Sequence, residues 1–318
     1  MTSDPALDFA RVQEAAARLA GHVRRTPVLT SRSLDAIAGC RLHFKCEHLQ
    51  RSGAFKFRGA GNAVLSLSKD QAGQGVVTQS SGNHGAAVAL ACRERGIPAT
   101  VVMPVDSARI KQAAVTAFGG RIVHCPPGQA ARDAAMAAVL VQTGGHLVHP
   151  FNDARVIAGQ GTAALELLAQ VPDLDSVIAP VSGGGLLSGT CLAGHGVNPG
   201  LKLYGAEPSG AADAEESLRT GHLVQGRRAD TVCDGLRADL GSLGFAILGR
   251  HLEQIILVDD ADTIAAMRLV WERLKQVVEP SSAIVLAAVL ARRELFSGQR
   301  VGLILSGGNV DLDTLPWR

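Results

Sequence analysis

Gly75-Val76-Val77-Thr78-Gln79-Ser80-Ser81-Gly82-Asn83-His84-Gly85 is the stretch that decides the fold. A short β-branched run, a loop of small polar residues and the start of a helical pattern read as strand, turn and helix. The same alternation repeats downstream. It predicts strands over 76–78, 99–103, 121–124 and 146–148, with helices over 84–95, 108–118 and 129–142 between them. Strand and helix in strict turn give a parallel sheet with right-handed crossovers.

The pattern extends outward on both sides. Upstream, a helix is expected over 8–23, a break at Arg25-Thr26-Pro27-Val28, a strand over 41–45 and a helix over 59–67. The break follows from proline, which forces its predecessor into an extended conformation. Downstream, helices are expected over 161–168, 186–193, 262–275 and 281–293, and strands over 176–181, 202–206 and 301–305. The expected architecture is α/β with two parallel-sheet domains. Residues 1–75 and 149–318 form a large one, 76–148 a small one, and a cleft lies where the chain crosses between them.

Composition narrows the function. With 318 residues, 47% of them hydrophobic and 19% charged, the chain can bury a large core and is not disordered. A net charge of +2 and only 3% aromatic residues give no footprint for a nucleic-acid partner. The six cysteines are scattered without a CxxC pair, so neither a zinc site nor a disulfide framework is expected and the thiols suit a reducing compartment. No apolar leader opens the chain, and its apolar runs fall short of the roughly 18 residues that span a bilayer. The expectation is a cytoplasmic protein without a membrane partner.

Four stretches carry chemistry. Ser52-Gly53-Ala54-Phe55-Lys56-Phe57-Arg58-Gly59-Ala60 places a lysine between two phenylalanines. A lysine in apolar company can lose its proton near neutral pH and form a Schiff base, whereas an ordinary helix start would send it into water. Ser182-Gly183-Gly184-Gly185-Leu186 follows a strand and opens a helix, so its backbone N–H groups can cradle a phosphate; a tight turn would need only one glycine. No lysine and Ser/Thr pair follows, which argues against an NTPase. Ser80-Ser81-Gly82-Asn83-His84 can be a plain helix cap or can hold a carboxylate. Ser306-Gly307-Gly308-Asn309 ends a strand, where α/β sites gather. A rival is Gly159-Gln160-Gly161-Thr162-Ala163-Ala164, which matches the GxGxxA dinucleotide fingerprint. It needs a strand directly before it, and 153–157 is a poor one, so an NAD-dependent dehydrogenase is the runner-up class.

Taken in order, these stretches resemble the fold-type II pyridoxal phosphate enzymes, of tryptophan synthase beta-like type, and within them the serine/threonine dehydratase and serine racemase branch. The likeness runs end to end and includes Val156 to Gly161, Trp271-Glu272-Arg273 and Glu279-Pro280. The resemblance implies that Lys56 holds pyridoxal 5'-phosphate. Gly183, Gly184, Gly185 and Leu186 would bind its phosphate, Asn83 its ring hydroxyl and Ser306 its pyridine nitrogen. Ser80, Ser81, Gly82 and His84 would face the substrate carboxylate, with Arg132 and Gly235 as further substrate contacts. A small domain closing over the site is also implied.

The implied reaction is that of an ammonia-lyase, converting L-serine, L-threonine or a related β-hydroxy amino acid to a 2-oxo acid and ammonia. Serine racemase and 3-hydroxyaspartate ammonia-lyase are the alternatives. Ser81 bears on that choice, because relatives of the dehydratase kind often carry alanine there and racemase-like relatives serine. Glu207, Ala211 and Asp213 read as a polar surface turn or, with two carboxylates and a carbonyl within seven residues, as a site suited to Mg²⁺ or Ca²⁺; metal-binding relatives share the spacing. Ala86 and Phe118 depart from the glutamine and tyrosine common at a nucleotide effector site, which speaks against nucleotide activation. No regulatory domain is expected beyond Arg318, which favours a role in amino-acid catabolism. The expected partners are a small-molecule amino acid and a second copy of the chain in a homodimer. A non-enzymatic binding module of the same fold is the contrasting possibility, and it would lack the Schiff-base lysine.

Overall fold

The computed structural model describes residues 7–317. Among these described residues ten strands form two sheets. They are β1 (Val28–Leu29), β2 (Arg41–Cys46), β3 (Val76–Gln79), β4 (Ala99–Pro104), β5 (Arg121–Cys125), β6 (His146–Leu147), β7 (Ser176–Pro180), β8 (Lys202–Pro208), β9 (Gln254–Val258) and β10 (Arg300–Leu305). The larger sheet runs β1-β2-β10-β7-β8-β9 and the smaller β5-β4-β3-β6. All pairs are parallel except β1 with β2. Parallel strands joined through helices are covered on both faces, and β3, β4, β7 and most of β10 are buried along their length. No helix among the described residues is long and apolar enough to cross a membrane. All six cysteines are buried and unpaired.

The structure departs from the sequence reading in several places. The helix over 59–67 begins earlier, at Lys56 (Lys56–Leu65). Strand β9 and the helices Asp213–Thr220 and Ser242–His251 were not anticipated. The helix Asp260–Leu269 gives way to a π-helical turn over Val270–Leu274. The poor strand over 153–157 is instead the start of the helix Ala154–Gln170, capped by the Asp153 carboxylate on the Arg155 N–H.

Gly159 and Gly161 therefore sit mid-helix and form no strand-to-helix phosphate loop. Their role is close packing. A Cβ on Gly159 would stand 2.6 Å from the Arg58 carbonyl, and one on Gly161 2.7 Å from that of Gly189. The fingerprint has lost the geometry that a dinucleotide needs.

A buried ionic cluster locks these elements together. Arg58, fully buried, donates to both oxygens of Glu47 (2.7 and 2.8 Å) and to both of Glu166 (2.9 and 2.9 Å). Lys45 from β2 also donates to Glu166, at 2.7 Å. The cluster ties β2, the helix Lys56–Leu65 and the helix Ala154–Gln170, so the chain just before and after Lys56 is pinned. The Arg58 and Lys45 cations hold the Glu166 carboxyl below its ordinary range, against the upward push of burial.

Arg58→Met is expected to destabilise the fold by about 3–5 kcal/mol in a denaturant titration, because it leaves the Glu47 charge buried and unpaired. The contribution of Glu166 is fully present above the ordinary carboxyl pKa. It is lost as pH falls through the depressed value, so an acid titration of stability should steepen less in Glu166→Gln than in the native chain.

Candidate active site

Lys56 opens its helix from a tight approach. Ser52 and Gly53 both take left-handed backbone angles (φ 59° and 74°), turning the chain sharply before it. Ala54 pairs with Gly307, and the Phe55 N–H donates to the Ser306 carbonyl (2.9 Å), so this segment is stitched to the end of β10. The half-buried Lys56 amine donates to the Pro150 carbonyl at 3.0 Å and lies 5.2 Å from the centre of the Phe55 ring. No carboxylate offsets its desolvation, and burial pushes its pKa down to about 8. Near neutral pH a useful fraction of this amine is an unprotonated nucleophile.

The loop after β7 faces the same cleft region through the segment that follows β6. Gly184 has φ +90° and precedes the helix Gly185–Val197, whose N-terminus has no side-chain cap. A Cβ on Gly183 would stand 2.2 Å from the ring of Phe151, next in sequence to Pro150. One turn into the helix, the buried Ser188 hydroxyl has no hydrogen-bond partner. A dipole-positive helix end, an uncapped glycine turn and an orphaned hydroxyl fit a phosphate.

Ser306, at the end of β10, is buried, and its hydroxyl makes only a long 3.4 Å bond to the Ser281 carbonyl. Gly235 donates its N–H to the Ser281 side chain at 3.0 Å, on the other side of that residue. On the small sheet's loop, Ser80 is buried and accepts the Gly82 N–H at 3.0 Å, whereas Ser81 is exposed. Asn83 spends its amide within the cleft: it donates to Glu279 (2.7 Å) and accepts from Asn309 (2.9 Å). His84 lies beneath the loop, with Nε2 3.4 Å from the Val148 carbonyl. Burial, and next the nearby Lys56 amine, hold its pKa well below the ordinary value, so the ring is neutral. Arg132 is half-buried in the first turn of the helix Gln129–Thr143, beyond β5.

Glu207 and Asp213 come together at the start of the helix Asp213–Thr220. Glu207 accepts the Ala214 and Glu215 N–H groups, both at 2.8 Å, and Asp213 accepts that of Leu240 at 2.7 Å. Burial pushes the two carboxyls up to about 8 and about 6. Among the described residues no group of three or more His, Cys, Asp and Glu side chains could hold a metal. Here the donor set is two carboxylates beside the buried Ala211, whose contribution would be a backbone carbonyl.

Sequence reasoning missed three groups in the cleft. His149 follows β6; its Nδ1 accepts the Asn152 N–H at 2.9 Å, which leaves the ring proton on Nε2. Its position just after a parallel strand was the available signal. Lys111 and Glu279 meet across the cleft, 3.7 Å apart. Glu279-Pro280 belongs to the family likeness without a role attached to it, and nothing local marks Lys111; the two are 168 positions apart and only the tertiary fold joins them.

Comparison with known proteins follows the same lines. A family model described as pyridoxal-phosphate dependent enzyme matches residues 19–307. The chain belongs to this family, with the fold of type II. It is 47% identical over 300 residues to a β-hydroxyaspartate dehydratase of Paracoccus denitrificans, covering 94% of this chain and 95% of that one. It is 45% identical to a serine racemase of Arabidopsis thaliana, over 98% of this chain and 95% of the other. The structure of maize serine racemase superimposes with a TM-score of 0.94 at 44% identity, covering 97% and 95% of the two chains. The expected fold class and the dehydratase and racemase branch are thus borne out.

Two outcomes test the site of this pyridoxal-phosphate enzyme. If Lys56 captures the cofactor, the rate at which cofactor-free protein binds pyridoxal phosphate should rise with pH through about 8, where the amine becomes neutral, and level off above it. Gly183→Ala should weaken cofactor binding by about tenfold or more, roughly 1.4 kcal/mol, in a visible-absorption titration, because the added methyl displaces Phe151.

Proposed function

We propose that this chain is an ammonia-lyase that converts a β-hydroxy amino acid, L-serine or L-threonine first, to a 2-oxo acid and ammonia. The observation that carries the reading is the pairing of a lysine held near pKa 8 with a serine, rather than a carboxylate, at the end of β10. When bound, pyridoxal phosphate supplies an electron sink that acidifies the substrate Cα–H.

The protein's own residues do the rest. Lys56, set free as an amine when the substrate's amino group takes its place, is positioned to take the Cα proton. The N–H groups of Gly183, Gly184, Gly185 and Leu186 would hold the phosphate against the helix end, with the Ser188 hydroxyl at hand to donate. Ser80, Ser81 and Gly82, at the start of the helix Asn83–Arg95, hold the substrate carboxylate. Asn83, fixed by Glu279 and Asn309, keeps a second amide hydrogen that would bond the ring hydroxyl. The Ser306 hydroxyl would donate one hydrogen bond to the pyridine nitrogen, placing no negative charge there. A neutral hydroxyl at that position would favour prompt loss of the Cβ hydroxyl, which leaves as water with a proton from the acid form of Lys56; hydrolysis of the released enamine by water then gives the 2-oxo acid and ammonia.

Racemisation is the second reading, and the exposed Ser81 hydroxyl supports it as a group able to return a proton to Cα. The name of the Paracoccus relative supports 3-hydroxyaspartate as a further substrate. The same reading takes residues 76–148 as the small domain, and 1–75 with 149–318 as the large one. It takes the enzyme as a cytoplasmic homodimer and places Mg²⁺ or Ca²⁺ on Glu207, Asp213 and the Ala211 carbonyl. A divalent cation there would offset two carboxylates whose hydrogen-bond donors are backbone amides.

Keto-acid release from L-serine, L-threonine and 3-hydroxyaspartate, with chiral analysis of the remaining substrate, tests the assignment. Keto acid is expected as the main product; D-amino acid with no keto acid would overturn it. For the cation, added Mg²⁺ or Ca²⁺ should raise the melting temperature and EDTA should lower it, with Glu207→Gln abolishing both effects.

A further inference from the structure

Lys111 stands out among the groups that the reaction does not use. It is the third residue of the helix Arg109–Ala117, and its side chain is only 5% exposed although Arg109 and Ile110 beside it face solvent. Its amine donates to Asp234 Oδ2 at 2.5 Å and lies 3.7 Å from Glu279 Oε2. Both acids belong to the body built on the larger sheet, whereas Lys111 belongs to the smaller one. Its stem lies against the carboxylate loop: a Cβ on Gly82 would stand 3.0 Å from Lys111 Cδ and 3.4 Å from Nζ.

The contact continues inward. Glu279 takes the Asn83 amide with its other oxygen (2.7 Å), Asn83 accepts from Asn309 (2.9 Å), and Asn309 also donates to the Ser52 carbonyl (2.8 Å), four residues before Lys56. One chain of hydrogen bonds and charges thus joins the small lobe, the loop and the turn that carries Lys56. Burying a lysine is costly unless an acid meets it. Here the lysine comes from one lobe and the acids from the other, so the compensation exists only when the lobes are together.

We propose that Lys111 is a positioning residue whose ion pair with Asp234, backed by Glu279, clasps the Ser80–His84 loop against the large lobe and sets how tightly that loop holds the substrate over Lys56. The inference rests on reading the loop as the carboxylate site.

The test uses the holoenzyme with Lys111→Met, Asp234→Asn and both together. Methionine keeps the stem that packs on Gly82 and removes the charge. Each single change should raise KM by about tenfold with the visible spectrum of the bound cofactor unchanged, and the double variant should be no worse than either single one, as for two residues acting through one contact. Additive losses, or an unchanged KM in Lys111→Met, would overturn the clasp. So would loss of 3-hydroxyaspartate alone in Lys111→Met with improvement in Asp234→Asn, because the amine would then be receiving the substrate's own side-chain carboxylate. A role in stability alone would lower the melting temperature and leave KM in place. If Lys111→Met does not fold, Asp234→Asn, at a 39% exposed side chain, carries the KM test by itself. If the native enzyme releases no keto acid, the lyase reading fails separately, and the clasp is then read from the amino-acid dependence of the cofactor spectrum.

Discussion

A half-buried amine with no acid beside it is the constraint on which this molecule turns. Three lysines show the contrast. Lys45 meets Glu166, and Lys111 meets Asp234 and Glu279, so each positive charge is answered by a negative one. Lys56 meets only the Pro150 carbonyl and a phenylalanine ring. Low dielectric without a counter-charge favours the neutral form, and a neutral amine is a nucleophile and a base. The Arg58 cluster keeps this arrangement from relaxing, because it anchors the helix that Lys56 begins to β2 and to the helix Ala154–Gln170. Ionic pairing near the lysine thus goes to the scaffold, and the lysine itself is left unpaired.

The parallel sheets explain why the other groups arrive at the same place. The segments after β3, β6, β7 and β10 carry the Ser80–His84 loop, His149 with Pro150, the glycine turn and Ser306. Loops following parallel strands collect at one edge of a sheet, and helices that start there point their positive ends at it. The cleft thus has the glycine turn on the side of the larger sheet and the Ser80–His84 loop on the side of the smaller one. The Phe55 to Ser306 and Asn309 to Ser52 bonds draw the lysine turn into that cleft.

Much of this was legible in the sequence because the informative features are local. The strand and helix alternation over 76–148 needs only periodicity, and the glycine loop after β7 needs only three adjacent glycines and an apolar run before them. What was not legible depends on distant partners. Helix Ala154–Gln170 begins with a β-branched pair, Val156-Ile157, that suits a strand by propensity. Packing of Gly159 against the Arg58 carbonyl decides for helix. The run Gln254 to Val258 carried a strand signal of its own, yet its partner β8 lies far upstream and no regular spacing pointed to it. Lys111 reads as a surface lysine on an amphipathic helix, and its burial follows only from where Asp234 and Glu279 stand in the fold. Asn83 reads as the loop residue just before a helix over 84–95 and is in fact its first residue, while its fixation by Glu279 and Asn309 needed residues more than 190 positions away.

The central claim is that Lys56, of all the lysines in the chain, carries the cofactor. Borohydride reduction of the holoenzyme fixes pyridoxal phosphate covalently on the amine that holds it, and proteolysis with mass spectrometry then locates the added mass. The account predicts a single modified peptide, the one containing Phe55-Lys56-Phe57. Modification at Lys45 or Lys111 instead, or retention of cofactor with no modified lysine, would contradict it.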